Sequence, residues 1–215
     1  LERIFIADWC QATDEPPRRY ADQLRERQVA AGEASVEVIA TGPDAEGDPL
    51  WEAYAHLFET AATSITIVTP YFVPDRRLFA LLGAAARRGR RVRLVIPRRS
   101  DHRLLDFARR WYLRTLHEAG AEILFFKPDV LHAKLVVVDG ATAVIGSANL
   151  DMRSLFLNYE VGAVLREPAT VRAIEDYVAG LEPECARYSE DLYRRSRTWQ
   201  GRLGERVSRI IEPLL

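Results

Sequence analysis

His132 and Lys134 stand two residues apart in the segment LHAKLVVVDG, and that spacing is where chemistry can begin. In an extended strand residues i and i+2 project from the same side of the sheet. An imidazole and an ammonium can therefore converge on one phosphate. Lys134 would supply positive charge and donors to the charge that develops as a phosphoryl group is transferred. His132 can attack phosphorus or carry a proton. Of the 30 lysines and arginines only Lys127 and Lys134 are lysines. A point-charge ammonium in so arginine-rich a chain gives weight to where it stands.

Past a short hairpin lie Gly146, Ser147 and Asn149, where strand gives way to loop. Small polar side chains and backbone donors reach an anionic group from such a position. Alone, GSxN is what any turn prefers. At a fixed distance from HxK it is a specific pattern.

The elements that must hold these residues read as follows. Leu1 to Arg27 has helical spacing, interrupted near Glu15, Pro16 and Pro17 because prolines stop one helix and can start another. Short β-rich runs then alternate with amphipathic segments. Strands are expected at Val36 to Thr41, Ile65 to Thr69, Val92 to Ile96, Glu122 to Phe126, Lys134 to Asp139, Ala143 to Gly146 and Tyr159 to Leu165. Helices are expected at Trp51 to Thr63, Arg76 to Arg88 and Leu104 to Ala119, the last two closed by Gly89 and Gly120. Two more are expected at Thr170 to Arg187 and Trp199 to Ile211. This alternation predicts an α/β fold, a sheet flanked by helices on both faces. Only Gly140 to Thr142 separate two of the strands, so that pair is an antiparallel hairpin and the sheet is mixed.

Composition narrows the function classes. A chain of 215 residues with 48% hydrophobic content can bury a proper core. Its net charge of −1 gives no general attraction to nucleic acid or anionic lipid. Eleven arginines against Asp101 and Asp106 between Arg87 and Arg114 leave two readings: a solvated helix surface or a phosphate-attracting one. The apolar face of Trp199, Leu203, Val207 and Ile210 either packs on protein or rests on a membrane surface. Cys10 and Cys185 form no metal-binding or disulfide pattern. No run of 18 apolar residues occurs.

His132, Lys134 and Asp139, followed by Gly146, Ser147 and Asn149, resemble the HxKxxxxD and GSxN signature of the phospholipase D superfamily. TPYFVPD at Thr69 to Asp75, GSANLDMRSLFLNYE at Gly146 to Glu160 and the closing Pro213 to Leu215 are similar to the second half of the bacterial cardiolipin synthases. The resemblance implies a phospholipase D-like α/β/α sandwich as a single half-domain. Residues 1–34 would be a helical segment continuing from an upstream half, and 35–215 the catalytic domain with C-terminal helices. It implies phosphate contacts for His132, Lys134 and Asn149, with Ser147 a further polar contributor. Asp139 would support the site from the side turned away from the phosphate. Glu160 would bond the far nitrogen of the His132 ring and fix its tautomer.

For the intact enzyme the resemblance implies phosphatidyl transfer between two phosphatidylglycerol molecules, giving cardiolipin and glycerol through a phosphohistidine, with no metal or other cofactor. The alternatives are a phospholipase D or nuclease of the same superfamily, or an inactive half acting as an interaction module. Tyr71, Phe72 and LDMRSLFLN suit acyl chains or serve as plain core. The family builds one site from two motifs, and His56, His102 and His117 lack the pattern. The partner is thus an upstream half, as Phe5, Asp8 and Trp9 suggest by matching the family's FxxDW region, or a second copy. The half-site is then expected at an open edge of the domain beside exposed apolar surface. Peripheral contact with the cytoplasmic face of a bacterial membrane is expected of the whole protein, with this piece soluble and nucleic acid not a partner.

Overall fold

The computed structural model describes residues 1–20, 35–128 and 130–189. Its helices and strands follow in order: α1 (Glu2–Thr13), β1 (Val36–Thr41), α2 (Pro49–Thr60), β2 (Ser64–Val68), β3 (Phe72–Val73), α3 (Arg76–Arg87), β4 (Arg91–Pro97) and α4 (Arg103–Glu118). Then come β5 (Glu122–Phe126), β6 (Leu135–Val138), β7 (Thr142–Gly146), β8 (Leu150–Asp151), α5 (Met152–Phe156), β9 (Glu160–Leu165), α6 (Pro168–Leu181) and β10 (Cys185–Arg187).

Eight strands form one mixed sheet in the order β1-β9-β7-β6-β2-β4-β5-β10. Strands β2, β4 and β5 run parallel, and the remaining neighbours are antiparallel. Alternation along the strands splits the apolar side chains between two cores. Ile65, Ile67, Leu94, Ile96, Val136 and Val138 pack with α2, α3 and α4 on one face. Val68, Val95, Leu124, Leu135 and Val137 pack with Val171 and Val178 of α6 on the other. Because both faces are covered, β6 is buried along its whole length, as its run of LVVV requires. The α/β/α layering matches the expectation.

The expected strands at Val36 to Thr41 and Glu122 to Phe126 appear with those bounds, and the other shared elements differ by a few residues at their ends. Three differences have physical causes. The helix expected through Arg187 ends at Leu181, because Pro183 cannot continue it; a 3-10 turn follows, and Cys185–Arg187 pairs antiparallel with β5 as an edge strand. In the N-terminal segment α1 is followed by a 3-10 turn at Pro17–Tyr20, and residues 21–27 of the expected helical stretch lie outside the described residues. Strand β6 begins at Leu135, so His132 and Lys134 precede the ladder: β2, its neighbour, ends at Val68, opposite Leu135. The expected helix at Trp199 to Ile211 and the PLL ending lie outside the described residues.

The register places all the site segments at one end of the sheet. Val68 opposes Leu135, Leu135 opposes Ile145 and Gly146 opposes Gly162. The chain just before β6, just after β7 and at the start of β9 therefore meets the C-terminal ends of β2 and β4. This is the end at which open α/β sheets bind ligands. The short parallel pair β3-β8 clips TPYFVPD to GSANLD there.

Candidate active site

Each arm of the site is fixed by local chemistry. Thr69 accepts the Leu150 N–H at 3.4 Å and donates to the Tyr71 carbonyl at 2.8 Å, which turns the chain out of β2. Asp75 caps α3 by accepting from Arg77 and Leu78, and also receives the Trp51 indole N–H at 2.8 Å. Glycine is obligatory at Gly146, where a Cβ would sit 2.3 Å from the Val161 carbonyl. That close approach lets Ser147 exchange backbone and side-chain hydrogen bonds with Val161 of β9.

Lys134 is half-buried, and its ammonium donates to the His132 carbonyl at 2.9 Å. Burial lowers its pKa, and the carboxylates of Glu160 and Asp151 oppose that fall. His132 itself is exposed to solvent. The Ser147 hydroxyl donates to Glu160, and Asn158 donates to the second Glu160 oxygen at 3.3 Å. In this structure the Glu160 carboxylate thus braces the Ser147 loop and Asn158.

Asn149 is half-buried, donates to the Ser154 hydroxyl at 3.2 Å and has a buried Oδ1 with no partner. The Asn149 amide and the Ser154 hydroxyl also donate to Asp151, which fixes the amide nitrogen on that side. A buried acceptor without a partner is costly. Asp151, 4% exposed, caps α5 by accepting the Ser154 N–H at 2.8 Å, and burial raises its pKa. Its role here was not legible in the sequence.

Asp139 lies at the opposite end of β6. Its carboxylate accepts the N–H groups of Ala62, Thr63 and Ser64 and the Thr63 hydroxyl, all within 2.9 Å. Burial alone would raise its pKa, but these donors win and lower it to about 2. Of the six candidates, the structure thus gathers His132, Lys134, Ser147, Asn149 and Glu160, and sets Asp139 apart as the clasp of the strand that carries them.

The rim has two further features. Val130, Leu157 and Tyr159 are exposed large apolar residues in the segments flanking the site. Phe72, Leu150 and Leu155 are buried core, so they line no acyl-chain surface; of the residues singled out for lipid, Leu157 faces solvent and Tyr71 is half-buried. Three of the eleven arginines from Arg87 to Arg114 are held by carboxylates: Arg93 pairs with Glu122 and Glu182, Arg109 is buried against Asp106, and Arg114 pairs with Glu118. Among the described residues no group of three metal-ligating side chains occurs, and no helix is long and apolar enough to cross a membrane.

The family model described as cardiolipin synthase, PLD-like domain, matches residues 54–181. The chain belongs to this phospholipase D-like family. All six candidate residues fall inside the matched span. The cardiolipin synthase of Geobacillus thermodenitrificans is 36% identical over 219 residues, covering 100% of this chain and 43% of the relative. That of Alkalihalophilus pseudofirmus is 34% identical, covering 100% of this chain and 42% of the relative. The chain therefore spans less than half the length of these relatives. Two solved structures share the phospholipase D-like fold. Nuc, a phospholipase D family member from Salmonella typhimurium, superposes with a TM-score of 0.61 at 22% identity, covering 74% of this chain and 100% of its own. Phosphatidylserine synthase from Haemophilus influenzae gives 0.69 at 16%, covering 94% and 56%.

Proposed function

We propose that this chain is the second catalytic half of a phosphatidyltransferase that joins two phosphatidylglycerol molecules into cardiolipin and releases glycerol. The observation that supports it most is the gathering of His132, Lys134 and Asn149 at one open end of the sheet, inside a domain of the cardiolipin synthase family. In-line displacement at phosphorus needs a nucleophile on one side and an acid on the other. One HxK pair supplies one side, and relatives of about twice this length supply room for the second half-site in the same protein.

In this reading a histidine of the other half attacks the phosphorus of phosphatidylglycerol. The P–O bond to glycerol breaks, and His132 protonates the leaving oxygen. A hydroxyl of a second phosphatidylglycerol then gives its proton to His132 and attacks the phosphohistidine. The P–N bond breaks, which frees the first histidine and forms cardiolipin. Lys134 and Asn149 hold the phosphoryl oxygens through both steps, and Ser147 and Glu160 brace the loop. The whole protein would act at the bacterial membrane, where its substrate lies.

The test is the mass of the lipid products when the full-length protein is given phosphatidylglycerol vesicles. Cardiolipin and glycerol in equal amounts support the reading. Phosphatidic acid alone replaces it with a hydrolase, and no lipid product at all leaves the interaction-module or nuclease reading.

A further inference from the structure

The loop after β4 brings a carboxylate to the phosphate end of the sheet. Buried Arg109 donates to the Arg98 carbonyl at 3.1 Å and pairs with Asp106 at 2.7 Å. Asp106 in turn accepts the Ser100 N–H. The clamp fixes the turn that presents Asp101, and the Tyr71 hydroxyl donates to Asp101 at 2.5 Å. His102 packs edge-on against the Tyr71 ring, with centroids 5.5 Å apart. Asp101 is exposed, and its pKa is lowered first by the Tyr71 hydrogen bond and further by the nearby His102 and His132.

An ionised carboxylate beside a phosphate site repels the phosphodiester itself. Its favourable use is towards the uncharged part of the substrate, where it accepts hydrogen bonds from hydroxyl groups, and a carboxylate has acceptor capacity beyond the one bond from Tyr71. A cationic headgroup would suit a lone carboxylate, but exposed Arg98 and Arg99 on the same loop oppose one.

We propose that Asp101, oriented by Tyr71, is a specificity-determining residue that binds the neighbouring hydroxyl of a polyol alcohol, such as the glycerol headgroup, whose reacting oxygen exchanges its proton with His132. The inference rests on the transferase reading above. It makes the site choose a polyol over a simple alcohol of similar size.

The experiment offers the full-length enzyme phosphatidylglycerol vesicles with deuterated glycerol or 1-propanol as competing acceptors and weighs the labelled phosphatidylglycerol and the phosphatidylpropanol formed. Asp101→Ala is expected to cut the glycerol-to-propanol preference by about tenfold, the weight of one hydrogen bond to a charged group. Tyr71→Phe is expected to cut it by a smaller factor. An unchanged preference in Asp101→Ala overturns the inference, as does an equal fall in both transfers. Wild-type enzyme that forms cardiolipin but transfers to neither alcohol overturns this inference alone, and one that forms no cardiolipin either overturns the transferase reading with it.

Discussion

The Asp139 carboxylate accepts the Ser64 N–H at 2.8 Å and so ties the end of β6 to the first residue of β2. Asp139 sits in the left-handed region at φ 56°, followed by Gly140 at φ 61°, a pair suited to a tight hairpin loop. The motif aspartate thus sets the register of the strand whose other end leads back to Lys134.

Asp139→Asn keeps a residue that tolerates this backbone conformation and removes the charge. It is expected to lower stability by about 1–2 kcal/mol at neutral pH, after allowing for solvent screening. The folded pKa of about 2 lies below the ordinary 3.8, so the stabilisation is full above that ordinary value and is lost as pH falls through about 2. Urea midpoints of the two proteins should therefore converge in acid; a constant difference would contradict the assignment.

Glu160→Gln removes a negative charge that supports the Lys134 ammonium. Deprotonation of Lys134 then becomes easier, and the alkaline limb of the pH-rate profile is expected to move to lower pH. The profile of full-length enzyme on phosphatidylglycerol checks it; an unmoved limb would separate Glu160 from Lys134.

Gly146→Ala would drive a methyl group into the Val161 carbonyl. The expected cost is about 1–3 kcal/mol of stability, with a loss of activity because Ser147 and Asn149 ride on the same turn. Thermal denaturation and turnover should fall together. Full stability in the variant would mean that β7 and β9 separate freely there.

The repeating patterns in the chain were legible because burial writes them directly. ITIV, RLVI and LVVV are runs that only a sheet covered on both faces can hide, and HxK with GSxN marked one end of that sheet. What was not legible depends on distant partners. Two-residue β3 and β8 exist only because they meet each other. Tyr71 and Asp101 are 30 residues apart, and nothing local marks them as a pair. Pro183 marks the end of α6 in the sequence, but that Cys185–Arg187 then becomes strand depends on the distant β5 edge. The bond that Glu160 accepts from Ser147 joins residues that only the β7-β9 pairing brings together.

Chelation is expected to leave the rate of phosphatidyl transfer unchanged, because the Lys134 ammonium supplies the charge stabilisation that a metal would otherwise bring. Rates with and without EDTA in the full-length protein check this. A loss restored by Mg²⁺ or Zn²⁺ would contradict it.

The most direct test of the half-site is His132→Ala in the full-length protein, assayed for cardiolipin formation from phosphatidylglycerol alongside its thermal unfolding. His132 is exposed and holds no core contact, so the variant should unfold at the wild-type temperature. Its turnover should fall by at least about a hundredfold, the scale of a lost general acid. Near-normal turnover by a folded His132→Ala protein would contradict the account.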